Sequence, residues 1–239
     1  MTTTIYHKDE DVLYQQACET LISSIKKVAA EKHLVNLAVP GGRSVARLFE
    51  TVRHKNIPWQ KVRLFTIDER IVPSDHPESN TKLVNENLVE ILIQNGKFQR
   101  ENVHLFETDF AKEDDGIADY IQVIKTFGDT YDIIILGVGE DGHIASLMPN
   151  HHSIRDDSPY FFSMDDSPKP PKKRMTSSRK FLQKAPVGFA FFVGKSKRDA
   201  YKNYLDSNLS VFECPAKIID EIKEGYVFTN IEFSTDLNR

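Results

Sequence analysis

Leu13, Ala17, Leu21 and Ile25 recur every four positions, and Val28 follows three further on, with Asp9 and Asp11 at the start of this stretch and Lys26 and Lys27 near its end. Apolar residues so spaced form one stripe of a helix over residues 10–31, and the charges sit where the helix dipole favours them. The next apolar run, Leu34 to Val39, reads as a strand. Pro40-Gly41-Gly42-Arg43-Ser44 turns it into a second helix whose Val45, Leu48, Phe49 and Val52 share a face. Val62 to Ile67 is another strand, closed by Asp68-Glu69-Arg70. Helical spacing returns from Asn80 to Ile93, a short strand is predicted over Val103 to Phe106, and Ile117, Tyr120, Ile121, Ile124 and Phe127 mark a further helix. Ile133 to Leu136 is apolar at every position, as a strand covered on both faces of a parallel sheet must be. Beyond Pro149 the regularity breaks. It resumes with a strand over Val187 to Val193, a helix through Ala200, Tyr201, Tyr204 and Leu205, a short helix from Pro215 to Ile222 and a last strand over Tyr226 to Thr229. Strand and helix alternate four times before Pro149, which predicts an α/β fold: a single domain with a mostly parallel, doubly wound, Rossmann-like sheet flanked by helices, joined by right-handed crossovers. The residues before Leu34 are expected to hold one helix only.

The chain has 239 residues and is 40% hydrophobic, enough for a full core, so one domain over 1–239 is favoured. Its net charge of −4 supplies no global basic field, which argues against a nucleic-acid partner. Cys18 and Cys214 have neither metal-ligand spacing nor a disulfide framework and read as reduced thiols. The amino terminus lacks the pattern of a leader peptide, and no apolar run approaches the ~18 residues of a membrane span. A soluble, cytoplasmic protein without a membrane partner is expected.

Candidate chemistry concentrates between Tyr131 and Pro149, where the buried strand runs into Gly137-Val138-Gly139-Glu140-Asp141-Gly142-His143. Gly137, Gly139 and Gly142 let the backbone turn sharply and approach a ligand. His143 follows at the carboxyl end of a strand, where open α/β sheets bind ligands, and an imidazole there can accept a proton near neutral pH. The same glycines match a dinucleotide fingerprint, but Pro149 leaves room for barely two turns of helix, and the turn-like His151 to Pro159 follows where a long helix and second strand are needed. A plain turn with Asp141 as a helix cap would account for the glycines without chemistry. Gly41 and Gly42, between strand and helix, form a candidate anion site, with Arg43 and Ser44 as charge and hydroxyl partners. Asp68 and Arg70 point the same way on an extended segment and can hold each other and a polar ligand. Glu69 and Asp75 read as surface decoration. The segment Ser163 to Met175, with three prolines and four basic residues, is either a solvated loop or a stiff basic flap over an anionic substrate. Lys197, in the first turn of a helix, runs against the dipole preference and is a candidate anion partner.

With these pieces located, the chain from Leu34 to Thr229 resembles the 6-phosphogluconolactonase family, which shares its fold with glucosamine-6-phosphate deaminase. The resemblance rests on Asp68 to Asn80 (DERIVPSDHPESN), Gly137 to Pro149 (GVGEDGHIASLMP), Ser167 to Thr176 and Gly194-Lys195-Ser196-Lys197. Lactonases usually carry Asp-Glu-Arg at the strand end, as at Arg70, and deaminases Asp-Glu-Tyr. The deaminase histidine segment typically supplies a glutamate where Met148 stands here. Arg43 departs from the family's usual serine, and Asn230 from its aspartate. The resemblance implies hydrolysis of 6-phospho-D-glucono-1,5-lactone, a small sugar-phosphate substrate, by a monomer or weak homo-oligomer needing no metal or cofactor. His143 would activate water, Asp141 orient the ring or the turn, and Arg70 or turn amides steady the oxyanion. The phosphate would lie on Gly41 and Gly42 with Ser44, Arg174 and Lys197. Two alternatives stay open: a deaminase or related isomerase, and a non-catalytic sugar-phosphate sensor.

Overall fold

The computed structural model describes residues 1–232, with residues 43 and 44 described by backbone only. Its strands are β1 (Thr2–Tyr6), β2 (Val35–Val39), β3 (Val62–Thr66), β4 (Asp68–Arg70), β5 (Val103–His104), β6 (Ile133–Gly137), β7 (Phe161–Met164), β8 (Arg174–Ser177), β9 (Val187–Phe192) and β10 (Glu224–Thr229). Its α-helices are α1 (Glu10–Glu31), α2 (Arg43–Arg53), α3 (Asn80–Val84), α4 (Glu90–Gln94), α5 (Ile117–Thr126), α6 (Arg179–Leu182) and α7 (Arg198–Leu205), with a π turn over Asn85–Val89 joining α3 to α4.

Seven strands form one parallel sheet in the order β1-β10-β9-β6-β2-β3-β5. The period-two rule separates its faces. Ile133 and Ile135 of β6 enter the core beneath α1, α2 and the α3–α4 stretch, whereas Ile134 and Leu136 enter the core beneath α5, α6 and α7. From β2 the chain steps outward through β3 to β5, then returns to lay β6 against the other side of β2. That reversal puts a crevice between the carboxyl ends of β2 and β6, the place where doubly wound sheets bind ligands. Among the described residues, no helix is long and apolar enough to cross a membrane.

The predicted helices and central strands are present, and three expectations are corrected. A strand, β1, precedes the first helix and pairs in parallel with β10. It lies at the sheet edge with most side chains exposed, so Thr2-Thr3-Thr4 gives no apolar signal for it. A second, antiparallel sheet, β4-β8-β7, was not foreseen; it takes in the charged Asp68–Arg70 and the end of the basic segment, where Arg174 and Met175 are buried. No helix follows Gly142. Ala145 has φ of 49°, Leu147 N donates to Ile144 O, and the segment closes as a tight turn.

Candidate active site

β6 ends on both faces in core and leaves the sheet at Gly137, so the next residues must turn over its end. Gly139 N donates to His143 O at 2.7 Å, Gly142 N donates to Gly139 O at 3.1 Å, and Gly142 adopts φ of 88°. The turn brings the imidazole back over Gly139, where a Cβ would lie 2.0 Å from His143 Nδ1, so no larger residue fits without displacing the ring. The turn is held from behind by Ala216 N, which donates to Gly142 O at 2.9 Å.

Asp141 and His143 form a dyad. His143 Nδ1 and Asp141 Oδ1 are 2.5 Å apart, and Lys169 Nζ donates to Asp141 Oδ2 at 2.9 Å. Burial pushes the Asp141 carboxyl up, but the hydrogen bonds and charges of His143 and Lys169 outweigh it and hold the group well below the usual carboxylate range. An ionised Asp141 takes the Nδ1 proton as acceptor, which leaves the lone pair on Nε2.

The dyad opens onto a cleft of about 680 Å³ at the β2–β6 crevice. Gly41 and Gly42 form one wall, and Gly41 is required by close approach: a Cβ there would lie 1.9 Å from Asn80 Oδ1. Lys197 and Gly194 line the same cleft, and Asn230 Oδ1 accepts from Gly194 N at 2.8 Å. Arg70, Asp68 and Arg174 line it as well, so the structure gathers Gly41, Gly42, Asp68, Arg70, His143, Arg174 and Lys197 in one place, with Asp141 bonded behind His143. The side chains of Arg43 and Ser44 lie outside the described residues.

Partners within the cleft differ from expectation. Asp68 and Arg70 do not hold each other. Asp68 Oδ2 accepts from Ser146 Oγ at 2.8 Å, while Arg70 Nη1 donates to Glu78 O at 2.6 Å and its buried Nε has no protein partner. Glu69 is not surface decoration. It is 2% exposed and accepts from the backbone N–H groups of Arg70, Asn80 and Thr81, each at 2.7 Å, and from Ser79 Oγ at 3.0 Å. Burial pushes its carboxyl up and the three backbone donors pull against that shift. Arg174, expected to serve a phosphate, is 3% exposed. Nε donates to Pro171 O at 2.9 Å, Nη2 to Pro170 O at 3.0 Å and Nη1 to Ser146 Oγ at 3.3 Å, so its fork holds the 169–171 backbone against the segment that follows His143.

Lys169, Asn80 and Ser146 were missed as functional candidates. Lys169 lies in a segment noted for its basic residues, but composition cannot say which lysine turns inward. Ser146 follows the glycine turn in sequence, and only folding shows that it bridges Asp68 and Arg174.

A model of the family described as glucosamine-6-phosphate isomerases/6-phosphogluconolactonase matches residues 8–228. A 6-phosphogluconolactonase of Borreliella burgdorferi is 32% identical over 197 residues, 82% of this chain and 84% of the relative. Among solved structures, a 6-phosphogluconolactonase of Thermotoga maritima superposes with a TM-score of 0.80 at 25% identity, covering 96% of this chain and 99% of that one. A monomeric glucosamine-6-phosphate deaminase superposes with a TM-score of 0.77 at 20% identity, over 95% of this chain and 96% of its own, a likeness of fold alone.

Proposed function

Because the chain belongs to the glucosamine-6-phosphate isomerase/6-phosphogluconolactonase family, we propose that it hydrolyses 6-phospho-D-glucono-1,5-lactone to 6-phosphogluconate, the lactone-opening step of the oxidative pentose phosphate pathway. The observation that carries this reading is the dyad: His143 Nδ1 is engaged by Asp141 at 2.5 Å, so Nε2 is the base available to the cleft.

His143 Nε2 takes a proton from water while the hydroxide oxygen bonds to C1 of the lactone. The carbonyl oxygen becomes an oxyanion, for which Arg70, whose side chain lines the cleft, is a side-chain donor. The C1–O5 bond then breaks, and the imidazolium returns its proton to O5, leaving an open-chain acid that ionises. Asp141 keeps the ring oriented and steadies the imidazolium, and Lys169 keeps Asp141 ionised. The phosphate lies against Gly41 and Gly42 at the amino terminus of α2, with Lys197 across the cleft. The role of Arg43 and Ser44 beside it, as charge and hydroxyl donor, rests on the sequence. Arg174 acts by holding the 169–171 backbone.

One observation bears on the sister activity. Met148, where a deaminase would supply a glutamate, is fully buried and offers no carboxylate to the imidazole, which favours the lactonase. The whole chain acts as one catalytic domain, a reading supported by β1 and β10, from its two ends, pairing side by side. A cytoplasmic enzyme fits two buried cysteines left as free thiols.

The test is hydrolysis of freshly prepared lactone, measured against its spontaneous opening, by the wild-type protein and His143→Ala. Loss of a general base should lower kcat by ~10²–10⁴-fold. An unchanged rate in the variant overturns the role of His143. Ammonia release from glucosamine 6-phosphate without lactone hydrolysis overturns the assignment of activity.

A further inference from the structure

Outside the cleft, the segment after the catalytic turn reaches His151 and His152. Their rings lie 4.1 Å apart, centroid to centroid. Both present Nε2 to one carboxylate, Asp166: His152 Nε2 is 3.0 Å from Oδ2 and 3.1 Å from Oδ1, and His151 Nε2 is 3.5 Å from Oδ1. One ligand atom from each of the three residues lies within 4.8 Å of the other two.

A hydrogen bond between one imidazole and one carboxylate is ordinary on a protein surface. Two adjacent imidazoles converging on the same carboxylate do more, for they bring three ligand atoms of metal-binding type to one point at the surface. A four-coordinate ion with bonds of about 2.0–2.2 Å holds its donor atoms roughly 3.3–3.5 Å apart; the two nitrogen–carboxylate separations, 3.0 and 3.5 Å, lie close to that spacing, and all three ligand atoms lie within 4.8 Å of one another. Imidazole nitrogen with a single carboxylate suits a borderline transition metal, whereas calcium and magnesium prefer all-oxygen sets.

We propose that His151, His152 and Asp166 bind a divalent transition-metal ion of the zinc class, with water completing the tetrahedron. His152 and Asp166 are exposed, so the ion enters from solution, and His151 is the sheltered ligand. His151 Nδ1 accepts from Ser153 N at 3.3 Å. Metal at Nε2 moves the ring proton to Nδ1 and gives up that long bond, a minor loss beside a metal–nitrogen bond. Asp166 belongs to the same loop as Lys169, so the ion would fasten the loop to the segment that follows the catalytic turn.

Untagged, chelator-stripped protein titrated with Co²⁺ reads the site directly, because four-coordinate cobalt absorbs strongly in the visible and octahedral aqueous cobalt does not. One equivalent should develop that spectrum, and Zn²⁺ should displace it. His143→Ala should retain the spectrum, since the cleft is not the site. His152→Ala and Asp166→Asn, both at exposed positions and checked for folding by circular dichroism, should each weaken binding by more than about a hundredfold, beyond what loss of a supporting partner costs. Absence of the four-coordinate spectrum in the wild type, or its retention in either site variant, overturns the proposal.

Discussion

The turn from Gly137 to His143 is tight enough that single atoms decide it. Gly139 matters for what it lacks: a Cβ would lie 2.0 Å from His143 Nδ1 and 2.7 Å from Asp141 Oδ1, in the middle of the dyad. Gly139→Ala should therefore fold, because the clash is with a part-buried side chain near the surface of the cleft, yet lose activity nearly as far as His143→Ala, on the order of 10²-fold in kcat. Lactone hydrolysis together with a thermal unfolding curve checks both halves of that statement. Glu69 makes the opposite point. Beside Asp68 and Arg70 it looks like one more charge at a strand end, but it gathers two backbone N–H groups at the start of α3 and that of Arg70 in β4, and so ties β4 to that helix. Nothing in the local sequence separates a carboxylate that receives three amides from one that points to water.

At the scale of elements, the small sheet β4-β8-β7 decides how the basic segment behaves. A segment with three prolines and four basic residues reads from composition as either a solvated loop or a stiff basic flap. In the fold, β8 anchors its end, and Arg174 reaches back to the carbonyl oxygens of Pro170 and Pro171. A lysine cannot reproduce that planar fork. Arg174→Lys should lower stability to denaturant by about 2 kcal/mol and speed tryptic cleavage after Lys172 and Lys173, with time courses of limited proteolysis as the measurement. An unaltered cleavage rate would return Arg174 to a direct role at the substrate. The corrections to β1 and to the missing helix after Gly142 have the same origin. The edge strand β1 is held by pairing with β10, far away in sequence, and the turn by short-range bonds such as that of Leu147 N to Ile144 O, and neither leaves a periodic apolar pattern.

For the whole molecule, acid should act first through a half-buried imidazole. His104 lies at the outer strand β5, with its ring 4.5 Å from that of Phe127 and 5.1 Å from that of Phe65, and its Nε2 is buried without a partner. Burial, aided by the nearby Arg63 guanidinium, pushes its pKa from 6.5 down to about 4. The unfolded chain takes up this proton at a higher pH than the folded one. Stability is thus undiminished by this group above 6.5, falls as pH drops from 6.5 towards 4, and levels off below. His104→Phe, which keeps the aromatic packing, should flatten the melting temperature across that window. Asp141 titrates at lower pH still, since its folded carboxyl is held below the usual range, so its contribution is lost only under more acidic conditions.

The sequence by itself determined the layered parallel sheet and the glycine turn that carries His143 at a strand end, because both are written locally. Apolar runs such as Ile133 to Leu136 can be satisfied only by burial on both faces, and glycines before a histidine at a strand end admit few backbone paths. The gathering of Gly41, Gly42, Arg70, His143 and Lys197 into one cleft agrees with that reading. The tertiary structure alone decided which charges work together. Asp68 found Ser146, Arg174 found the 169–171 backbone, and Lys169 found Asp141. The first and last of these join segments tens of residues apart, and a charged side chain looks the same in sequence whether it ends in water or in a network.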